Sequence, residues 1–188
     1  MTPGATLLAA IALVAALPHR AVAEVPAEQQ TLIALRILAY DYTLPRRAGG
    51  TVRIGIVHGE GTPSTTCSAK MRGAVKAVIG RVVVSGMPID VAALDAAKVS
   101  GEELTRRKIS VVYVCRGVED NMAQIVRAAR AAHALTFTDQ LDYLERGVSI
   151  ALTKDAARVG ISINLVAAGA EGTKFNSQFL RQTKVVKR

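Results

Sequence analysis

The chain has 188 residues, of which 50% are hydrophobic and 21% charged, and its net charge is +9. This composition excludes an intrinsically disordered chain and is sufficient for one domain with a single core. The basic residues are scattered and Trp is absent, so the sequence lacks the aromatic-interleaved basic strip of many single-strand binders. We therefore expect no nucleic-acid partner. An anionic component of the cell envelope stays an alternative explanation of the positive charge.

The chain begins with an apolar run, residues 5–17, followed by Pro18, His19, Arg20 and the tripeptide 21–23, Ala-Val-Ala. A transmembrane anchor needs roughly 20 apolar residues, whereas a shorter run before an A-x-A site is typical of a signal peptide. We expect cleavage before Glu24. Residues 1–23 are then a signal peptide, and residues 24–188 are a single domain of a basic protein in the periplasm.

Helices and strands alternate along the predicted mature chain. Hydrophobic periodicity predicts helices at residues 24–39, 64–79, 101–107 and 119–133, and strands at 52–57, 82–84, 109–114 and 135–138. The Ala-rich region 90–99 has a less certain structure. After a helical turn at 140–145, residues 148–152 and 159–166 predict an antiparallel hairpin, and residues 173–184 a last helix.

This order of elements predicts an α/β fold. Strands that are separated by helices form a mostly parallel sheet with helices on both faces, and the hairpin adds antiparallel strands at the C-terminal end. We therefore expect a three-layer sandwich with a mostly parallel sheet and a C-terminal antiparallel hairpin.

Both cysteines, Cys67 and Cys115, lie in the predicted mature chain. An even number of cysteines in an exported chain favours a disulfide. Cys115 directly follows the predicted strand 109–114, and Cys67 lies near the start of the helix that follows the predicted strand 52–57. The ends of these two strands are commonly neighbours at the switch point of a doubly wound sheet. We expect a Cys67–Cys115 disulfide there. The alternative is that Cys67 is a free, reactive thiol near a helix N-terminus.

Polar residues follow the predicted strands, where ligands of α/β sheets usually bind. A crevice for a ligand or partner is predicted from the side chains that follow these strands: His58, Glu60, Arg116, Asn121 and Asp139.

Sequence motifs for catalysis or metal binding are missing. The chain has no H-E-x-x-H, C-x-x-C, G-x-S-x-G or G-x-G-x-x-G pattern. We therefore expect a protein that is not an enzyme, with no metal site and no cofactor.

Asn164 is a polar residue inside an apolar predicted strand. A buried amide must have hydrogen-bond partners. We expect a structural role for Asn164, in which its side chain binds backbone groups between the hairpin and the last helix.

Residues 159–186, VGISINLVAAGAEGTKFNSQFLRQTKVV, resemble the C-terminal signature of the YfiR/HmsC-type family of periplasmic proteins. The upstream segments VRIGIV, VVYVCRG and LTFTD occur in the family's order, although Leu44-Pro45 stands where many members have Trp-Pro. The resemblance implies a small exported α/β protein that regulates cyclic-di-GMP signalling. Its implied partner is a membrane-bound diguanylate cyclase, whose periplasmic sensor region it binds and inhibits.

A second hypothesis belongs to another functional class. The chain could be a periplasmic solute-binding module that captures a small ligand in the crevice and delivers it to a transporter. Such proteins usually close two lobes around the ligand, and a mature chain of about 165 residues is short for two lobes. The sequence also leaves a homodimer open.

Overall fold

The computed structural model describes residues 24–155 and 158–187. The predicted signal peptide lies outside the described residues. The elements are α1 (Ala27–Leu38), α2 (Leu44–Ala48), β1 (Val52–His58), α3 (Thr62–Val78), β2 (Ile89–Asp95), α4 (Gly101–Arg106), β3 (Val111–Val114), α5 (Met122–Ala131), β4 (Leu135–Thr138), β5 (Ile150–Asp155), β6 (Arg158–Asn164), α6 (Leu165–Ala170), α7 (Ser177–Leu180) and β7 (Lys184–Lys187). Two 3-10 helices, Glu119–Asn121 and Leu141–Leu144, precede α5 and β5.

The strands form one seven-stranded sheet in the order β2-β1-β3-β4-β5-β6-β7. All neighbours in this sheet are parallel except β5 and β6, which form an antiparallel hairpin. The prediction of an α/β fold with a mostly parallel sheet and a C-terminal antiparallel hairpin is therefore confirmed.

Helices cover both faces of the sheet, which gives the predicted three layers. Side chains of successive residues in a strand point to opposite faces. In β1, Ile56 therefore joins a core with residues of α1, α3 and α7, whereas Val57 joins a second core with residues of α4 and α5. Both side chains are fully buried, as expected for a strand covered on each face.

The second strand is not where we predicted it. Residues 82–84 contribute only an isolated bridge between Val84 and Met87. Strand β2 is instead Ile89–Asp95, within the Ala-rich region, and it pairs in parallel with β1 over its whole length. It lies at the edge of the sheet with several half-buried side chains, so small residues such as Ala92 and Ala93 are sufficient for its packing.

The prediction of a last helix over residues 173–184 was also wrong. Only Ser177–Leu180 is helical there, with Asn176 accepting a hydrogen bond from the Phe179 amide at its N-terminus. The chain then forms β7, which pairs in parallel with β6. An unpredicted short helix, α6, follows β6 directly.

A buried ion pair connects distant segments at the amino ends of β3 and β4. Asp41 and Arg47 form a salt bridge in which their side chains are 0% and 6% exposed. The Arg47 guanidinium also donates to the carbonyls of Ser110 and His133 and to the hydroxyl of Thr173. The segment between α1 and α2 is thereby fixed to the sheet and to the loop after α6.

A second buried carboxylate, Glu171, lies between β4 and β5. It accepts hydrogen bonds from the Thr136 amide at 2.9 Å, the Thr136 hydroxyl at 2.7 Å and the Ser149 hydroxyl. Burial raises the pKa of Glu171 to about 7 from its ordinary 4.5, although these hydrogen bonds act in the opposite direction. The folded protein therefore favours the protonated carboxyl.

We expect the stability of the protein to depend on the ionisation of Glu171. Below pH 4.5 the Glu171 carboxyl is protonated in both the folded and the unfolded state. Between about pH 4.5 and 7 it is protonated only in the folded state. The folded state therefore loses stability, relative to the unfolded state, as the pH rises through this range. The loss amounts to about 3 kcal/mol. Glu171→Gln has the shape of the protonated acid and should remove this pH dependence. Urea unfolding at a series of pH values measures it.

The control for this experiment is Glu102→Gln, because Glu102 is exposed on α4. Its pH profile should follow that of the unchanged protein. An equal slope between pH 4.5 and 7 in Glu171→Gln and in the control would contradict the role of Glu171.

Candidate functional site

The candidate site lies at the carboxyl ends of the central strands. Strand β2 follows β1 through α3 and lies on one side of β1. Strand β3 follows β2 through α4 and lies on the other side of β1. The switch point is therefore between β1 and β3, where a crevice opens in folds of this class.

The predicted disulfide between Cys67 and Cys115 is confirmed, and it lies at this switch point. The Cα atoms of the two cysteines are 5.9 Å apart. Cys67 is on the second turn of α3 and half-buried, whereas Cys115 directly follows β3 and is fully buried. The alternative of a reactive Cys67 thiol is excluded in this state of the protein, because its sulfur is bonded.

Beside the disulfide is a cavity of about 610 Å³, which we call the α3 cavity. Its walls come from the start of α1, the first half of α3 and the ends of β3 and β4. Its lining residues include Gln30, Cys67, Lys70, Tyr113 and Arg116. Its volume is within the range of about 300 to 1,000 Å³ that is usual for small-molecule sites.

Tyr113 presents a fixed polar group to the α3 cavity. Its hydroxyl donates to the Gln30 side chain at 2.6 Å, and the Gln30 amide in turn donates to the Val25 carbonyl at 2.8 Å. Burial, together with the nearby Asp139 carboxylate, raises the pKa of Tyr113 well above its ordinary value. The hydroxyl therefore stays protonated, and its one hydrogen is donated to Gln30.

A cluster of three charged side chains separates the α3 cavity from its neighbour. Arg116 donates to Asp139 at 2.7 Å and to Glu24 at 2.5 Å. Burial lowers the pKa of Arg116, but the hydrogen bonds to Asp139 and Glu24 outweigh this effect and raise it. Arg116 thus remains a cation between two carboxylates.

The neighbouring cavity, of about 570 Å³, is named here the β5 cavity. It shares Glu24, Val25, Arg116 and Asp139 with the α3 cavity and extends along β5 and β6 to Lys184 on β7. Unlike the α3 cavity, the β5 cavity is also lined by strand β5 from Leu152 to Lys154.

Of the five predicted crevice residues, the structure brings together Arg116 and Asp139. The remaining three line neither cavity. His58 ends β1 with its Nδ1 3.0 Å from the Gly59 carbonyl, Glu60 is exposed in the following loop, and Asn121 ends the 3-10 helix before α5. The crevice is instead completed by α1 and α3, which sequence reasoning did not assign to it.

Asn164 lies at the junction of β6 and α6, 4% exposed. Its Oδ1 accepts from the Ala167 amide at 3.0 Å, and its Nδ2 donates to the Leu144 carbonyl at 2.9 Å. Both partners are backbone groups, as expected for a structural amide. They belong to α6 and to the 3-10 helix before β5, and not to a last helix.

Within residues 24–155 and 158–187, no group of three or more His, Cys, Asp or Glu side chains converges to hold a metal ion. Over the same residues, every helix is too short or too polar to cross a membrane.

Residues 28–183 match the model of the YfiR/HmsC-like family. The chain belongs to this family. The predicted resemblance is therefore confirmed over nearly the whole described chain. Members of this family are periplasmic proteins with a regulatory role in cyclic-di-GMP signalling. Family members are known as regulatory and not catalytic proteins. No protein with a curated description matches the chain.

Solved structures with a similar fold share little sequence with the chain. A conserved domain protein from Vibrio cholerae is 17% identical with a TM-score of 0.60; the match covers 85% of this chain and 60% of that one. The ABC domain in complex with L-Trp from Streptococcus pneumonia is 12% identical, TM-score 0.57, with coverages of 86% and 60%. CD0873, a substrate binding protein with adhesive properties from Clostridium difficile, is 13% identical, TM-score 0.56, with coverages of 77% and 57%.

These similarities show the fold alone. The chain spans 57 to 60% of the length of the three structures. The matched part therefore corresponds to a portion of each of those longer chains.

Proposed function

We propose that this chain is exported by residues 1–23 as a signal peptide and binds the periplasmic sensor region of a membrane-bound diguanylate cyclase, which it inhibits. The observation that carries the proposal is the family match over residues 28–183. The regulator would act without catalysis, by binding one conformation of the cyclase better than the other. A partner shifts such an equilibrium only by its difference in affinity for the two states.

The test uses the exported protein and the membranes of the cell that makes it. Retained membrane proteins are identified after capture on the immobilised protein, and a captured cyclase is reconstituted in proteoliposomes with its periplasmic region facing outward. We expect added protein to reduce cyclic-di-GMP synthesis in a saturable way. A cyclase that lacks its periplasmic region is the control and should be insensitive. Capture of no cyclase, or an unchanged rate of synthesis, contradicts the proposal.

A solute-binding module is the second candidate, and the α3 cavity favours it. Its volume of about 610 Å³ and its fixed Tyr113 and Gln30 groups suit a small ligand. Two of the structural neighbours are a domain in complex with L-Trp and a substrate binding protein. A thermal-shift screen of metabolites distinguishes the candidates, since a bound ligand raises the melting temperature. Binding to an anionic component of the cell envelope and formation of a homodimer also stay predictions.

A further inference from the structure

Two chain segments, residues 36–51 and 172–187, form a basic surface at the amino ends of β3 and β4, which we call the basic end. Backbone hydrogen bonds join the segments: the Tyr42 amide donates to the Lys174 carbonyl at 3.3 Å, and the Asn176 amide donates to the Tyr40 carbonyl at 3.3 Å. Their only acidic residue is Asp41. Their basic residues are Arg36, Arg46, Arg47, Lys174, Arg181, Lys184 and Lys187.

Most of the basic side chains at the basic end are available to a partner. Asp41 is fully buried and paired with Arg47, so it does not neutralise the others. Exposed cations without an ion pair to a side chain that the structure describes are Arg36, Arg46, Lys174, Arg181 and Lys184. At the edge strand β2, by contrast, Lys98 has Asp95 as a partner at 3.2 Å. The basic end thus presents five positive charges that no neighbouring carboxylate binds.

An exposed aromatic side chain lies among these cations. Tyr42 is 66% exposed, and its backbone is bonded to that of Lys174. Tyr40 and Phe175 are half-buried, and both pack on Phe179 with ring centroids 5.2 and 5.0 Å away. Tyrosine combines an apolar ring with a polar hydroxyl and is enriched where hydrocarbon meets water. The basic end therefore offers both charge and an aromatic ring to a partner.

The arrangement of the five cations favours an extended charged surface over a small ligand. They lie on five different segments, namely α1, α2, the loop after α6, the end of α7 and β7. Such a broad array fits a partner that presents negative charges at many positions, as the phosphates of a bilayer do. Because members of the family are periplasmic, the surface of a membrane is within reach of the protein.

We propose that the basic end binds the surface of a bilayer that contains anionic phospholipids, with the Tyr42 ring at the depth of the headgroups. The lysine and arginine side chains would supply the attraction, and the aromatic ring would add apolar contact. The proposal makes the expected anionic component of the cell envelope specific. A second copy of the chain is disfavoured as the partner, because two basic ends repel each other.

This orientation leaves the candidate site free. The α3 cavity is at the carboxyl ends of β3 and β4, whereas the basic end is at their amino ends. The cavity would therefore face away from the lipid. Lipid binding and binding to a membrane partner would strengthen each other, since both hold the protein at the same surface. The proposal depends on the periplasmic location and not on the cyclase, so vesicles that contain no protein test it separately.

The test measures binding of the exported protein to lipid vesicles by flotation. Vesicles of phosphatidylglycerol and phosphatidylcholine in a one-to-two ratio are compared with vesicles of phosphatidylcholine alone. We expect binding to the anionic vesicles to be at least about tenfold tighter and to weaken as salt is added. Equal binding to both kinds of vesicle, or no binding to either, overturns the proposal.

A fluorescent reporter tests the orientation. The chain contains no Trp, so Tyr42→Trp introduces a single indole, whose emission should move to shorter wavelength when anionic vesicles are added. The control is Leu141→Trp, because Leu141 is 49% exposed and follows β4 at the opposite end of the sheet. Its emission should stay unchanged. The proposal is wrong if Tyr42→Trp shows no shift or if both variants shift equally.

Neutralising variants locate the charges that bind. Lys174→Gln/Arg181→Gln should weaken binding to the anionic vesicles at least about fivefold. Lys76→Gln/Arg127→Gln removes the same charge from exposed positions on α3 and α5 and should weaken it less than about twofold. Equal loss in both double variants would mean that only the total charge matters, which contradicts a defined basic end. The two kinds of vesicle with the unchanged protein decide even if a variant fails to fold.

Discussion

Replacement of Arg47 by leucine is expected to lower the free energy of unfolding by about 3 to 5 kcal/mol, the usual cost of breaking a buried ion pair. Asp41 is 0% exposed and would lose its cationic partner. The carbonyls of Ser110 and His133 would also lose a donor. The large effect arises because the remaining groups are cut off from water, and not because the pair itself is strongly stabilising. Urea unfolding followed by circular dichroism measures the change.

Two further variants separate this explanation from a general effect of losing an arginine. Arg46→Leu removes the neighbouring guanidinium, which is exposed, and should change the free energy of unfolding by less than about 0.5 kcal/mol. Adding Asp41→Asn to Arg47→Leu removes the uncompensated charge and keeps an acceptor for the Thr43 and Lys174 amides. This double variant should recover part of the lost stability. Equal effects of Arg46→Leu and Arg47→Leu would show that the buried pair has no special role.

The layout of the fold could be predicted because its main elements carry local signals. The strands VRIGIV and ISVVYV consist mostly of β-branched apolar residues, with Arg53 and Ser110 as their polar members. Such segments are typical of a sheet covered on both faces. Asn164 provided a further local signal that we did not use. It is an N-cap residue whose oxygen accepts from the third following amide, and this pattern predicts the start of α6.

The errors have a common cause, which is pairing between residues far apart in sequence. Strand β7 contains the same residue types as an amphipathic helix end, and it is a strand because β6 lies beside it. The Ala-rich β2 is likewise extended because β1 provides its hydrogen bonds. Tertiary contacts of this kind override weak local propensities.

Of the candidate site, only the residues that directly follow the strands could be predicted from the sequence. Arg116 and Asp139 follow β3 and β4, and the parallel register brings them together. Gln30 and Tyr113 were missed because they are 83 positions apart and belong to different layers. The ion pair of Asp41 with Arg47 gave no signal, since its surroundings come from four separate segments.

Removal of the disulfide is the other change with a large expected effect. The bond closes a loop with a sequence separation of 48 residues. In the chain-entropy model a loop of this length stabilises the folded state by about 4 kcal/mol, mainly by restricting the unfolded chain. We therefore expect Cys67→Ala/Cys115→Ala to lower the free energy of unfolding by about this amount, measured by urea unfolding with the midpoint and slope fitted for each protein.

Reduction of the unchanged protein provides the comparison, because it opens the same loop and keeps the sulfur atoms. A smaller loss on reduction than in the alanine variant would assign the difference to the packing of Cys115, which is fully buried. The double alanine variant should be unaffected by the reductant. If neither reduction nor the variant shifts the urea midpoint, the bond does not stabilise the fold. Since Cys67 also lines the α3 cavity, the bond would then have its main effect on the shape of that cavity.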